Sequence, residues 1–232
     1  MKLTYCCLVF AISMLFGGCI ERNQGPPSIN WTNAPPSAPT YAVVRVFYAT
    51  DRSVASRSEA GKVYGCDRGV VTYGTCQVSI PRDHQMGELE GPAIWKLEFH
   101  QDPEKHVVFL GCSFEAKEPF FSQVAARVSD SQGKKAFVFV HGYNVTFEDA
   151  ARRTAQISYD LGFDGAAVFY SWPSQGTVTG YPIDESNIEW TQTNLKTFLA
   201  DFLKHSDAQN IYLIAHSMGN RTLTRAFATL IT

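Results

Sequence analysis

Charge is scarce in the 232-residue sequence: 18% of residues are Asp, Glu, Lys or Arg, and the two signs nearly cancel to a net −2. That balance gives no basic footprint for nucleic acid or for an anionic membrane surface. Long apolar runs are also missing. The one extended run, from Cys6 to Phe16, is too short to span a bilayer. Cysteine is sparse at six residues, and none has a His or Cys partner at zinc-ligand spacing. His100, Asp102 and His106 could be imagined around a metal, but Pro103 interrupts any helix that would align them, and a solvated turn is expected. No metal and no cofactor is implied. No internal repeat is present.

What remains is a globular composition, 45% hydrophobic, of a length suited to one doubly wound domain. Lys2 followed by the apolar run reads as an export signal over residues 1–18. The segment Leu15-Phe16-Gly17-Gly18-Cys19 resembles the lipobox of bacterial lipoproteins, with Phe16 replacing the usual aliphatic residue. That resemblance implies acylation of Cys19 and a lipid-anchored chain in the cell envelope. With Ile20 rather than aspartate following, it implies the outer membrane, facing the periplasm. Ordinary secretion with cleavage after Gly17 or Gly18 is the alternative. Residues 19–40, rich in Pro, Asn and Ser, read as a flexible tether. Removing the signal and acylating Cys19 leaves Cys66, Cys76 and Cys112, an odd number. Cys66 and Cys76 flank a Gly-containing segment that could turn back on itself, so a bridge between them stands beside the alternative of buried free thiols.

Residues 41–232 form the domain. Its first part, 41–133, carries short, β-branched apolar runs bounded by Gly or Pro: Val43 to Tyr48, Val70 to Tyr73, Gln77 to Ile80, Ile94 to Phe99 and Val107 to Leu110. These are expected strands. The second part, 134–232, alternates apolar strands with helical patterns, as βαβ units do. Ala136 to Val140 is a buried strand ending at His141-Gly142. Thr146 with Asp149 predicts a capping box that opens a helix to about Leu161. Ala166 to Tyr170 is the next strand. A helix starting near Asp184 follows, with Leu195, Phe198, Leu199, Phe202 and Leu203 at helical spacing. Ile211 to Ala215 is apolar throughout, which predicts burial on both faces at the sheet centre.

That last strand runs into His216-Ser217-Met218-Gly219-Asn220 and then a helical pattern. Strand, tight turn and helix make a nucleophile elbow, in which Ser217 sits on a strained turn and its neighbours two residues away must be small. Ala215 and Gly219 satisfy that demand, with alanine in place of the first glycine of G-x-S-x-G. Two backbone amides are candidates for an oxyanion hole: Met218, at the helix N-terminus, and Tyr143, after His141-Gly142. A plain strand-ending turn is the alternative for His141-Gly142. His216 points away from its neighbour on the strand end and is expected to be a packed or hydrogen-bonded neighbour rather than a base. Asp51-Arg52 reads as a structural ion pair or cap, with a substrate-facing role as the minority reading.

The stretches Phe47 to Arg52, Tyr73 to Pro81, Val138 to Asn144, Ser171 to Ser174 and Ala215 to Asn220 together resemble a bacterial family of esterase/lipase-like α/β-hydrolases of unknown specificity. The resemblance covers Tyr41 to Thr232. It implies a mostly parallel sheet with flanking helices, a serine hydrolase acting on a small-molecule or lipid carboxylic ester, and no cofactor. In this fold the acid and histidine of the triad follow the serine. No Asp, Glu or His follows Ser217 here. The expectation is an incomplete hydrolase domain lacking its C-terminal strands and inactive alone. The alternative is a noncatalytic surface lipoprotein that serves as a binding module. Oligomeric state is not legible.

Overall fold

The computed structural model describes residues 40–55, 62–92 and 100–230. The signal sequence, Cys19, nearly all of the tether and the strand expected over Ile94 to Phe99 lie outside the described residues. Six strands form one mixed sheet: β1 (Tyr41–Val54), β2 (Tyr64–Pro81), β3 (Val108–Glu115), β4 (Lys135–Val140), β5 (Ala166–Ser171) and β6 (Asn210–Ala215). Their spatial order is β3-β2-β1-β5-β4-β6. The first three form an antiparallel meander, and β1, β5, β4 and β6 pair in parallel. Among the described residues four α-helices accompany them: α1 (Lys117–Ser129), α2 (Phe147–Asp160), α3 (Tyr181–His205) and α4 (Met218–Ala228). None of the described helices is long and apolar enough to cross a membrane.

The two faces of the sheet are sorted by the two-residue period of the strands. On β4, Ala136, Val138 and Val140 join the core beneath α1, α3 and α4, while Phe137 and Phe139 join the core beneath α2. Strand β5 divides in the same way, with Val168 and Tyr170 on one side and Ala167 and Phe169 on the other. Continuous apolar sequence is therefore what a strand covered on both faces requires.

Several expectations are corrected. The runs Val70 to Tyr73 and Gln77 to Ile80 belong to the single strand β2. The glycine between them marks a close approach rather than a turn, since a methyl group on Gly74 would lie 1.9 Å from the Ser113 carbonyl oxygen. Cys66 and Cys76 accordingly lie along one strand and cannot bridge, and both thiols are free. Strand β6 is not central: among the described strands it pairs with β4 alone, and Tyr212 on it is 42% exposed. Its apolar sequence does not bring two-sided burial: on β6 only Ala215 is fully buried, and Ile211, Leu213 and Ile214 are partly covered. Helix α3 begins at Tyr181, with Pro182 in the first turn, where its missing N–H costs nothing. Helix α1 falls in the part expected to be β-rich. Its buried Phe120, Phe121, Val124 and Val128 keep helical spacing, and Pro119 occupies the first turn, where its missing N–H breaks no helical bond. The turn expected around His100, Asp102 and His106 is present, the His106 amide donating to the Asp102 carbonyl at 2.7 Å, but it is not wholly solvated: His106 is buried and its Nδ1 accepts the Asp102 amide at 3.0 Å.

The capping box is present. Thr146 Oγ1 accepts the Asp149 amide at 3.1 Å, and the Asp149 carboxylate accepts the Thr146 amide at 3.3 Å. Replacing Thr146 by Ala removes one half of that exchange at the helix facing the β2-β1-β5 surface. The expected loss is about 1 kcal/mol of unfolding free energy, read as a lower urea midpoint with unchanged slope. An unchanged midpoint would show that water caps α2 equally well.

Candidate active site at the nucleophile elbow

Ser217 stands between β6 and α4 at φ 50° and ψ −123°, a backbone conformation disfavoured for any residue with a Cβ. Its side chain is exposed. Packing around it leaves no room for larger neighbours. A methyl group on Gly219 would come 2.5 Å from the His141 carbonyl oxygen and 2.6 Å from that of Val140, so the start of α4 lies directly on the end of β4. A methyl group on Gly142 would meet His216 Nδ1 at 2.7 Å and Ser217 Cβ at 2.9 Å. The loop after β4 and the elbow after β6 are therefore in contact, held by the register that sets Val140 opposite Ala215 and by the His216 amide donating to Val140 O at 3.1 Å. His216 itself is exposed rather than packed in the interior.

Tyr143 and Met218 thus come to the same end of the sheet as Ser217. Among the described residues neither backbone amide has a backbone acceptor. The Tyr143 side chain is turned outward, with its hydroxyl donating to the Val178 carbonyl and its ring edge-on to Tyr181 at 5.3 Å. No described side chain forms a hydrogen bond with Ser217 Oγ.

Beneath this surface lies a polar network that sequence reasoning did not find. Arg52, 2% exposed, donates from Nε to Ser171 Oγ at 2.8 Å, from Nη1 to Gly65 O at 3.0 Å and Ser174 O at 2.9 Å, and from Nη2 to Val145 O at 2.7 Å. Burial lowers its guanidinium to about 10, opposed by Glu148 and Asp51, so it remains charged near neutrality. It is not the ion-pair partner of Asp51. Neighbouring residues on a strand point to opposite faces, and Asp51 instead accepts from Thr191 Oγ1 and, at 3.1 Å, from Asn194 Nδ2 on α3. Burial raises the Asp51 carboxyl, and those hydrogen bonds pull it partly back. Asp184 ties the two loops together: its carboxylate accepts Ser174 Oγ at 2.6 Å, the Gln175 amide at 2.7 Å and the Asn144 amide at 3.3 Å. The only sequence signal for these roles was their presence in the quoted Asp51-Arg52 and Ser171 to Ser174 stretches.

His141 completes the network. It is buried, stacked on Trp172 with centroids 5.0 Å apart, and its own carbonyl accepts Trp172 Nε1 at 2.8 Å. Its Nδ1 lies 2.8 Å from Gly142 O and its Nε2 3.1 Å from Ser171 Oγ. A carbonyl can only accept, so Nδ1 carries the proton and Nε2 accepts from Ser171.

The family described as alpha/beta hydrolase of unknown function (DUF900) matches residues 116–231. The chain belongs to this family. No curated protein and no solved structure matches it. The family match spans α1 through α4 and so contains both loops of the elbow site, whereas Arg52 reaches that α/β-hydrolase core from β1, outside the matched segment.

Burial, and then the Arg52 guanidinium, push the His141 imidazole down from 6.5 to about 3. A base whose pKa is depressed on folding binds fewer protons in the folded state. Its stabilising contribution is therefore complete above the unfolded pKa and is lost as pH falls from 6.5 towards 3. Between pH 7 and pH 4 the loss should reach about 3 kcal/mol. Urea unfolding of the wild type and of His141→Gln at both pH values measures it: the wild type's advantage should shrink on acidification. A difference independent of pH would show that His141 is not held neutral.

Proposed function

We propose that the chain is a serine hydrolase acting on carboxylic esters, with Ser217 as nucleophile. The observation that carries this reading is the strained Ser217 backbone between β6 and α4, with Gly142 packed against it. In the proposed reaction a histidine base takes the Ser217 hydroxyl proton as Oγ attacks the ester carbonyl carbon, and the amides of Met218 and Tyr143 receive the negative charge on the carbonyl oxygen. Collapse to the acyl-enzyme breaks the ester C–O bond, the proton returning to the departing alcohol. Ala215 and Gly219 allow the tight turn. A neutral, buried His141 is a positioning residue rather than the base, because both of its ring nitrogens are occupied, one by Gly142 O and the other by Ser171 Oγ. Small-molecule or lipid esters fit the open, exposed setting of Ser217.

The sequence after Ser217 supplies no acid or histidine, and no described side chain activates its hydroxyl. The 232-residue chain tested alone should accordingly turn over p-nitrophenyl butyrate very slowly, since losing triad partners removes about 10⁶ of kcat in a well-studied serine protease. Joining to Thr232 the acid- and histidine-bearing C-terminal segment of a family member should supply an acid and a histidine downstream of Ser217. Fluorophosphonate should then label Ser217, with labelling abolished in Ser217→Ala. A chimera that unfolds cooperatively yet stays unlabelled and cleaves no short ester would overturn the hydrolase reading and favour a binding module.

We also propose export and lipid anchoring through Cys19, with the domain held at the outer membrane on its periplasmic side. Support comes from Lys2, the apolar run and Gly17-Gly18-Cys19. Expression in a Gram-negative host with radiolabelled palmitate should give a labelled chain, and Cys19→Ala should lose the label. Label that survives the substitution would point to secretion without acylation.

A further inference from the structure

We propose that Cys76 and Cys112 form a covalent modification site, a disulfide joining β2 to β3 when the chain meets a small disulfide oxidant. The two residues stand directly opposite each other in the antiparallel register. Opposed residues in such a pair have Cα atoms about 4.5–5.5 Å apart, inside the roughly 4.4–6.8 Å range that a disulfide spans without moving the backbone. Both thiols occupy the same face of the sheet: Cys76 is wholly buried in the core shared with Tyr48, Tyr64 and Phe147, and Cys112 packs against that core while keeping partial exposure. Cys66, ten positions earlier on the same strand as Cys76, has no opposed cysteine.

The thiols also differ in a way that orders the chemistry. Burial, and next its contact with Cys112, raise the Cys76 thiol, whereas contact with Cys76 lowers that of Cys112. Cys112 is therefore both the more reachable and the more readily ionised sulfur. Its thiolate attacks one sulfur of the oxidant, forming a mixed disulfide and expelling the other half as a thiolate that takes up the released proton. Cys76 then loses its proton and attacks Cys112 Sγ, expelling the second half as a thiol. One oxidant disulfide is reduced to two thiols as the two cysteine thiols become one disulfide.

The bridge would tie the outermost described strand of the meander to its neighbour, at a distance in the fold from Ser217. It draws on no part of the hydrolase reading.

The test incubates the purified full chain with oxidised glutathione, then denatures and alkylates it for peptide mapping. Cys76 and Cys112 should lose alkylation together and appear in one linked peptide that reductant separates, while Cys66 remains alkylated. In Cys76→Ser the second step is blocked, and Cys112 should retain one glutathione as the mixed disulfide. The proposal is overturned if Cys76 and Cys112 both remain alkylatable after oxidation. It is also overturned if the linked peptide contains Cys66, or if Cys76→Ser leaves Cys112 unmodified under conditions that modify the wild type.

Discussion

The guanidinium of Arg52 is the interaction on which the ordered end of this sheet depends. Four of its contacts reach three separate segments: β2 at Gly65, the loop after β4 at Val145, and the end of β5 with its following loop at Ser171 and Ser174. Loops at the carboxyl ends of parallel strands carry backbone carbonyls that water would ordinarily satisfy. Here a rigid fork of N–H donors satisfies them internally, each charge-assisted contact contributing about 1.5–3 kcal/mol against the cost of burying the cation. A lysine would offer a point charge without the fork, so neither the geometry nor the spread across three segments would survive that exchange.

Order at these loops is what lets the elbow hold its strain. A residue kept in a sparsely populated backbone region costs on the order of 1–3 kcal/mol and persists only where its surroundings over-determine it. At Ser217 the determinants are close contacts rather than strong bonds: Gly219 against the Val140 and His141 carbonyls, and Gly142 against His216 and Ser217. Neither glycine is needed for its own backbone angles, since neither has a positive φ. Both are needed because two segments approach more closely than a Cβ allows. The loop after β4 is held in that approach by Asp184, which accepts the Asn144 amide, and by Arg52, which donates to the Val145 carbonyl.

The parts legible in the sequence were those governed by local period and local chemistry. Strands β4 and β5, helix α2 with its capping box, and the strand-turn-helix around Ser217 all announce themselves within a dozen residues. The parts that were not legible depend on partners far along the chain. Nothing local distinguishes Gly74 as a close-approach glycine from Gly74 as a turn; the answer lies with Ser113 on another strand. Nothing local assigns Arg52 to carbonyls rather than to Asp51, because its acceptors lie from 13 to 122 positions away. Strand β6 misled for a related reason. An apolar strand can keep its composition with both faces only partly covered, Ile211 and Leu213 against one core and Ile214 against the other, and sequence alone does not count its neighbours.

The direction of the hydrogen bonds links this buried scaffold to the Tyr143 amide, one of the two proposed oxyanion donors. Arg52 Nε can only donate, so Ser171 Oγ accepts from it and turns its own hydrogen towards His141 Nε2. His141 must then carry its proton on Nδ1, and that proton goes to the Gly142 carbonyl. The peptide bond joining Gly142 to Tyr143 is trans, and across a trans peptide the carbonyl and the following N–H point opposite ways. Holding the Gly142 carbonyl inward therefore turns the Tyr143 amide outward, away from the His141 ring. A protonated His141 would lose its acceptor for Ser171 and the sequence of donors would break at its middle. The depressed pKa of His141 thus keeps the amide's orientation, and it follows first from burial and then from the same buried cation that fixes the loops.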